Sequence, residues 1–63
     1  MTNQEIKDYF GQQPIYKFDG SLEDLKSLME SQSVSYNYIV DQYQVYFIAH
    51  GQISDSRAVL IGD

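Results

Sequence analysis

The chain has no cysteine and no tryptophan, one proline, one histidine and only four basic residues among 63. Without cysteine no disulfide can staple the fold, and one histidine with no thiol leaves too few ligands for a structural zinc site. Neither a metal nor a cofactor is therefore expected. Four basic residues against nine acidic ones give a net charge of -5, which repels phosphate backbones and argues against DNA or RNA as a direct ligand. The basic residues Lys7, Lys17, Lys26 and Arg57 are also isolated from one another.

No apolar run approaches the roughly 18 residues of a membrane-spanning helix. The start Met-Thr-Asn-Gln-Glu lacks the basic and apolar regions of a secretory signal. The sequence thus predicts a cytoplasmic protein with no membrane partner. Gly-rich phosphate loops, paired-histidine metal motifs and calcium loops are missing too. His50, with Ser54, Asp55 and Arg57 close in sequence, is the one candidate general base. A strand-end histidine followed by glycine reads more simply as a surface residue, so no catalytic residue is assigned and no enzyme is expected.

What is present fits one domain over residues 1–63. A chain this short buries only about 60% of the surface that its unfolded form exposes, so an aromatic-rich core and self-association are the remaining sources of stability. Thr2 and Glu5 have capping-box spacing, and Ile6, Tyr9 and Phe10 follow on one stripe up to Gly11, which predicts a two-turn helix. Ile15 to Phe18 alternates after Pro14 and predicts a short edge strand. Ser21 and Asp24 repeat the capping pattern, and Leu22, Leu25, Leu28 and Met29 recur at helical spacing, which predicts the main helix over residues 22–31.

From Val34 the period changes to two. Val34, Tyr36, Tyr38 and Val40 share one strand face, a turn is expected at Asp41-Gln42, and Tyr43, Val45, Phe47 and Ala49 share one face of the next strand. Residues 51–56 read as a loop, residues 57–61 as a last strand, and Gly62-Asp63 closes the run. The expected fold class is α+β: a small antiparallel sheet of three to four strands packed against one main helix, with a short N-terminal helix, in the order α-β-α-β-β-β.

Both faces of the hairpin carry large apolar residues. If Tyr36, Tyr38, Val45 and Phe47 face the main helix, Ile39, Tyr46 and Ile48 face away from it. Either the N-terminal helix crosses this second face, or the twisted strands curl over their own side chains, or the face or an adjacent sheet edge forms an interface; the small size of the domain favours the last, as a homodimer or a partner site. Six tyrosines strengthen that expectation, because tyrosine combines contact area with a polar tip. Tyr36 and Tyr38 are expected in the core, and Tyr16, Ile39, Tyr43, Tyr46 and Ile48 at a partner interface. Glu23, Asp24, Glu30 and Asp41 form an alternative acidic surface able to mimic nucleic acid in a basic cleft; capping and solubility explain the helix acids more simply.

The function expected from these features is a non-enzymatic regulator or inhibitor that binds a protein and occludes its surface. A nucleic-acid-processing enzyme is the partner class in view, and the acidic mimic and a structural or assembly subunit are the alternatives. Size, acidity and lack of cysteine suit a phage or mobile-element factor acting on a host enzyme, although composition does not demonstrate origin.

Overall fold

A computed structural model describes residues 2–61. It contains α1 (Asn3–Phe10), β1 (Tyr16–Phe18), α2 (Leu22–Gln32), β2 (Tyr36–Asp41), β3 (Gln44–Ala49) and β4 (Ala58–Leu60), in the expected order. The expected Gly62-Asp63 terminus lies outside the described residues.

Local chemistry sets the helix ends. The Thr2 hydroxyl accepts from the Glu5 N–H at 3.2 Å, while the Thr2 N–H donates to Glu5 Oε1 at 2.9 Å, completing the capping box. Gly11 ends α1 with φ 82° and ψ -161°, a region that essentially only glycine adopts without strain. At α2 the Ser21 hydroxyl accepts from the Asp24 N–H at 3.2 Å, and Glu23 and Asp24 add negative charge in the first turn, where exposed N–H groups favour it. The far end of α2 closes with Ser33 in the left-handed region and Val34 N–H donating to Met29 C=O, the bond of a Schellman cap.

The four strands form one antiparallel sheet in the order β2-β3-β1-β4, so β1, expected at an edge after Pro14, is instead an interior strand, because β4 pairs on its far side. The hairpin register pairs Asp41 with Gln44, so the turn residues are Gln42 and Tyr43, one position later than the sequence suggested. Gln42 accordingly takes a positive φ of 57°. The strand starting at residue 36 instead of 34 has a local cause: Val34 is part of the α2 cap and Ser35 begins the ladder by accepting from His50 N–H.

Each face of the sheet has its own helix. Leu25, Leu28 and Met29 of α2 pack on Phe18, Val45 and Phe47, with Tyr16, Leu22, Val34, Tyr36 and Ala58 around them. On the opposite face Ile6 and Phe10 of α1 pack on Ile15 and Ile48, flanked by Ile39, Tyr46 and Ile61. The layers are therefore helix, sheet, helix, and the two apolar faces inferred from the strand alternation are both real. The second face is not left open for another chain as expected: α1 buries Ile48 to 2% exposure and half-covers Ile39 and Tyr46. A two-turn helix supplies enough surface for this because Ile6 and Phe10, one turn apart, both point at the sheet.

Candidate functional site

Strand order decides which side chains reach the surface. With both faces covered, the sheet meets solvent at its two lateral edges, β2 and β4. Five of the six large apolar or aromatic residues that stay exposed lie along them or in the adjoining turn. Tyr38 and Val40 are on β2, Tyr43 is at the hairpin tip, and Val59 and Leu60 are on β4; the sixth, Tyr9, is on α1.

The five residues expected at a partner interface do not form one surface. Tyr16 lies in β1, half-buried on the α2 face, stacked on Phe47 with ring centroids 5.3 Å apart. Ile39, Tyr46 and Ile48 are on the opposite face beneath α1. Tyr43 alone is fully presented, at 97% exposure. Tyr38, expected in the core, is instead 38% exposed, because β2 is an outer strand and α2 lies over β1 and β3. Its ring stacks on Tyr36, with centroids 6.1 Å apart, and the Lys26 ammonium sits 6.0 Å from the ring centre. Tyr9, Tyr38, Val40, Val59 and Leu60 were missed as surface candidates. Alternation gives the face of a residue, and only the long-range pairing gives its distance from an edge.

Backbone geometry distinguishes the two edges. Ser35 C=O accepts from His50 N–H at 2.8 Å, and with the β2–β3 register this makes Asn37–Ile48, Ile39–Tyr46 and Asp41–Gln44 the hydrogen-bonded pairs. The N–H and C=O groups of Tyr36, Tyr38 and Val40 therefore point away from β3. On β4, Ile61 N–H donates to Ile15 C=O and Asp19 N–H to Arg57 C=O, so Ala58 and Leu60 face outward. Ala58 N–H is already used, donating to Asp55 C=O at 3.1 Å. Among the described residues, β2 is the longer edge and its Tyr36, Tyr38 and Val40 backbone groups are the less occupied ones.

The loop before β4 is fixed by one ion pair. Asp55 Oδ1 accepts from the Arg57 backbone N–H at 2.8 Å and from Nε at 3.1 Å, and the guanidinium lies 5.2 Å from the Phe18 ring centre. Hydrogen bonds from the Arg57 side chain, then its backbone N–H, hold the Asp55 carboxyl below its ordinary value, and the same side-chain bond raises Arg57. Glu5 is lowered by its hydrogen bonds to the Thr2 backbone and hydroxyl. The Asp55 carboxylate is thus engaged by Arg57, while the exposed His50 ring lies beside Asn37, Nε2 to Nδ2 3.4 Å. The acidic residues are dispersed: Glu23 and Asp24 open α2, Glu30 lies near its other end and Asp41 closes β2. No group of three or more histidine, aspartate or glutamate side chains among the described residues is placed to hold a metal ion, and no helix there is long and apolar enough to cross a membrane.

Hollows adjoin both edges, the smallest of those described, about 380 Å³, lying between α1 and β2 with Tyr9, Phe10, Asn37 and Tyr38 in its lining. One, of about 720 Å³, lies between α1, residues 11–15 and the end of β4, with Leu60 and Ile61 in its lining. Another, of about 500 Å³, lies beside the start of β2 and is lined by Met29, Glu30, Ser33, Val34 and Tyr36 among others. Comparison with family models, with curated proteins and with solved structures finds no match, so no relative's chemistry bears on these edges.

Proposed function

We propose that this chain is a non-enzymatic protein-binding regulator that acts by occluding a surface of its partner. The observation that carries the reading is the concentration of exposed apolar side chains at the sheet edges of a domain whose two sheet faces are already covered. Val59 and Leu60 are each more than half exposed although they sit in regular strand. Such side chains gain from a second surface. On this reading the β4 edge, with Leu60 opposite the half-buried Tyr16 and beside the hollow at Ile61, is the partner surface. A nucleic-acid-processing enzyme in the cytoplasm is the partner class we propose, a net charge of -5 steering the encounter with such basic proteins while the apolar edge makes the contact.

A photo-crosslinking residue at Leu60 tests this in the producing cell, with the same residue at exposed Ser27 on α2 as control. A discrete protein adduct at Leu60 and none at Ser27 is expected. No adduct at Leu60, or equal labelling at both positions, overturns the reading. The acidic-mimic alternative draws on one observation, the adjacent exposed carboxylates of Glu23 and Asp24 at the start of α2. It predicts that complex formation weakens steeply with salt and with charge reversal at Glu23, Asp24 and Glu30, whereas an apolar edge contact responds mainly to Leu60→Ala.

A further inference from the structure

We propose that β2 is a self-association edge: two copies pair their β2 strands antiparallel about a two-fold axis through Tyr38, joining the two sheets into one continuous sheet. Tyr36, Tyr38 and Val40 direct their N–H and C=O groups outward, at alternate positions centred on Tyr38. That row is complementary to itself when reversed. Tyr38 pairs with Tyr38 of the second copy through two hydrogen bonds, and Tyr36 pairs with Val40 through two more on each side of the axis.

The side chains are compatible with this register. An aromatic residue opposite a β-branched one, as Tyr36 opposite Val40, is a favourable cross-strand pair. Asn37 falls opposite Ile39, and Asp41 falls opposite Ser35, so no like charges on the two strands face each other. From Tyr36 to Val40, β2 also lacks the devices that keep an outer strand from pairing, its one charge, Asp41, lying at the end. It has no lysine, arginine or proline, and its register with β3 runs without a bulge from Tyr36 to Asp41. β1, in the sheet interior, is the strand that carries a central lysine, Lys17.

The same register carries the hairpin tip of each copy toward residues 33–35 of the other. Tyr43, at 97% exposure, then lies against the hollow lined by Met29, Glu30, Ser33, Val34 and Tyr36. Area allows this occupant. Tyr9, on α1, shares a hollow with Asn37 and Tyr38 and so borders the β2 edge; taking about 200 Å² for a full tyrosine surface, the exposed parts of Tyr9, Tyr38 and Tyr43 offer at most roughly 400 Å² per copy. Val40 and the edge backbone bring this toward roughly 600 Å² per copy, the lower bound for a specific dimer. β4 remains free at each end, so the dimer presents two copies of the proposed partner edge.

The test uses the full chain, made by total chemical synthesis so that one backbone N–H can be altered. Sedimentation velocity over a dilution series up to about 500 µM at near-physiological salt is expected to show a reversible monomer–dimer equilibrium. The Tyr36, Tyr38 and Val40 amides are expected to gain hydrogen-exchange protection in proportion to the dimer fraction. N-methylation at Tyr38 removes two symmetry-related bonds and leaves every side chain unchanged, and is expected to raise the dissociation constant at least about ten-fold with the circular dichroism preserved.

A monomer at the highest concentration, or a dimer indifferent to N-methylation, overturns the proposal. Should the N-methylated chain fail to fold, a mixed-labelled sample of the unmodified chain decides. This register brings the Asn37 and Ile39 α-carbons of different copies to about 4.5 Å, and a dimer without that interchain Hα contact refutes it. The dimer and the partner reading fail separately: a monomer that still crosslinks through Leu60 removes only the dimer, and a β2-paired dimer with no Leu60 adduct removes only the partner.

Discussion

Ile6→Ala measures how firmly the N-terminal helix is held on the second face of the sheet. Ile6 is fully buried against a cluster containing Phe10, Ile15 and Ile48, on a helix of eight residues that would not be stable alone. Truncating a buried isoleucine to alanine costs about 2–5 kcal/mol. Here the lower half applies, because a two-turn surface helix can settle toward the space left behind. Alanine's better helix propensity returns about 0.4 kcal/mol, leaving a net loss of about 2 kcal/mol.

For a domain of this size the urea dependence is close to 1 kcal/mol per M, so the midpoint should fall by about 2 M. Total stability is about 3–9 kcal/mol on a per-residue basis, so the loss is a large share of it. Urea titration followed by far-ultraviolet circular dichroism and tyrosine fluorescence reads the shift, with exposed Asp8→Ala on the same helix expected within about 0.5 kcal/mol of wild type. If Ile6→Ala moves the midpoint no further than Asp8→Ala, α1 does not hold the face. Ile39, Tyr46 and Ile48 would then be open to another chain after all.

Further expectations concern backbone and charge. Gln42 and Ser33 both hold positive φ without being glycine, so Gln42→Gly and Ser33→Gly should each stabilise by about 0.5–1 kcal/mol in thermal or urea unfolding, removal of strain outweighing the added freedom of the unfolded chain. Gly11→Ala should do the opposite by about 1–3 kcal/mol, since its backbone lies in a region closed to side chains. Glu5 and Asp55 are held below their ordinary values of 4.5 and 3.8. Their contributions are full above those values and are lost as pH falls through the lower folded ones. Unfolding midpoints should therefore drop on acidification below about pH 4.5, and Glu5→Gln with Asp55→Asn should flatten that part of the profile.

The elements and their order were legible in the sequence because each has a local cause. Thr2 with Glu5, Ser21 with the α2 leucines, and the period-two run from Tyr36 require only neighbours within a turn or a strand. The turn was misplaced by one residue because Asp41-Gln42 and Gln42-Tyr43 both lack glycine, leaving the cross-strand register to choose between them. The candidate surface was much less legible. Tyr38 and Phe47 sit directly opposite each other on the same face, yet Phe47 is buried and Tyr38 is not. The difference is that β1 pairs on the far side of β3 while β2 has no outer neighbour.

The sequence by itself determined the two helices, the strands and the existence of two apolar faces, all consequences of residue type and spacing. Tertiary structure alone decided that α1 covers the second face and that β1 enters between β3 and β4, leaving β2 and β4 as edges. Those outcomes depend on pairing between segments far apart in the chain, where periodicity specifies a face but carries no lateral position.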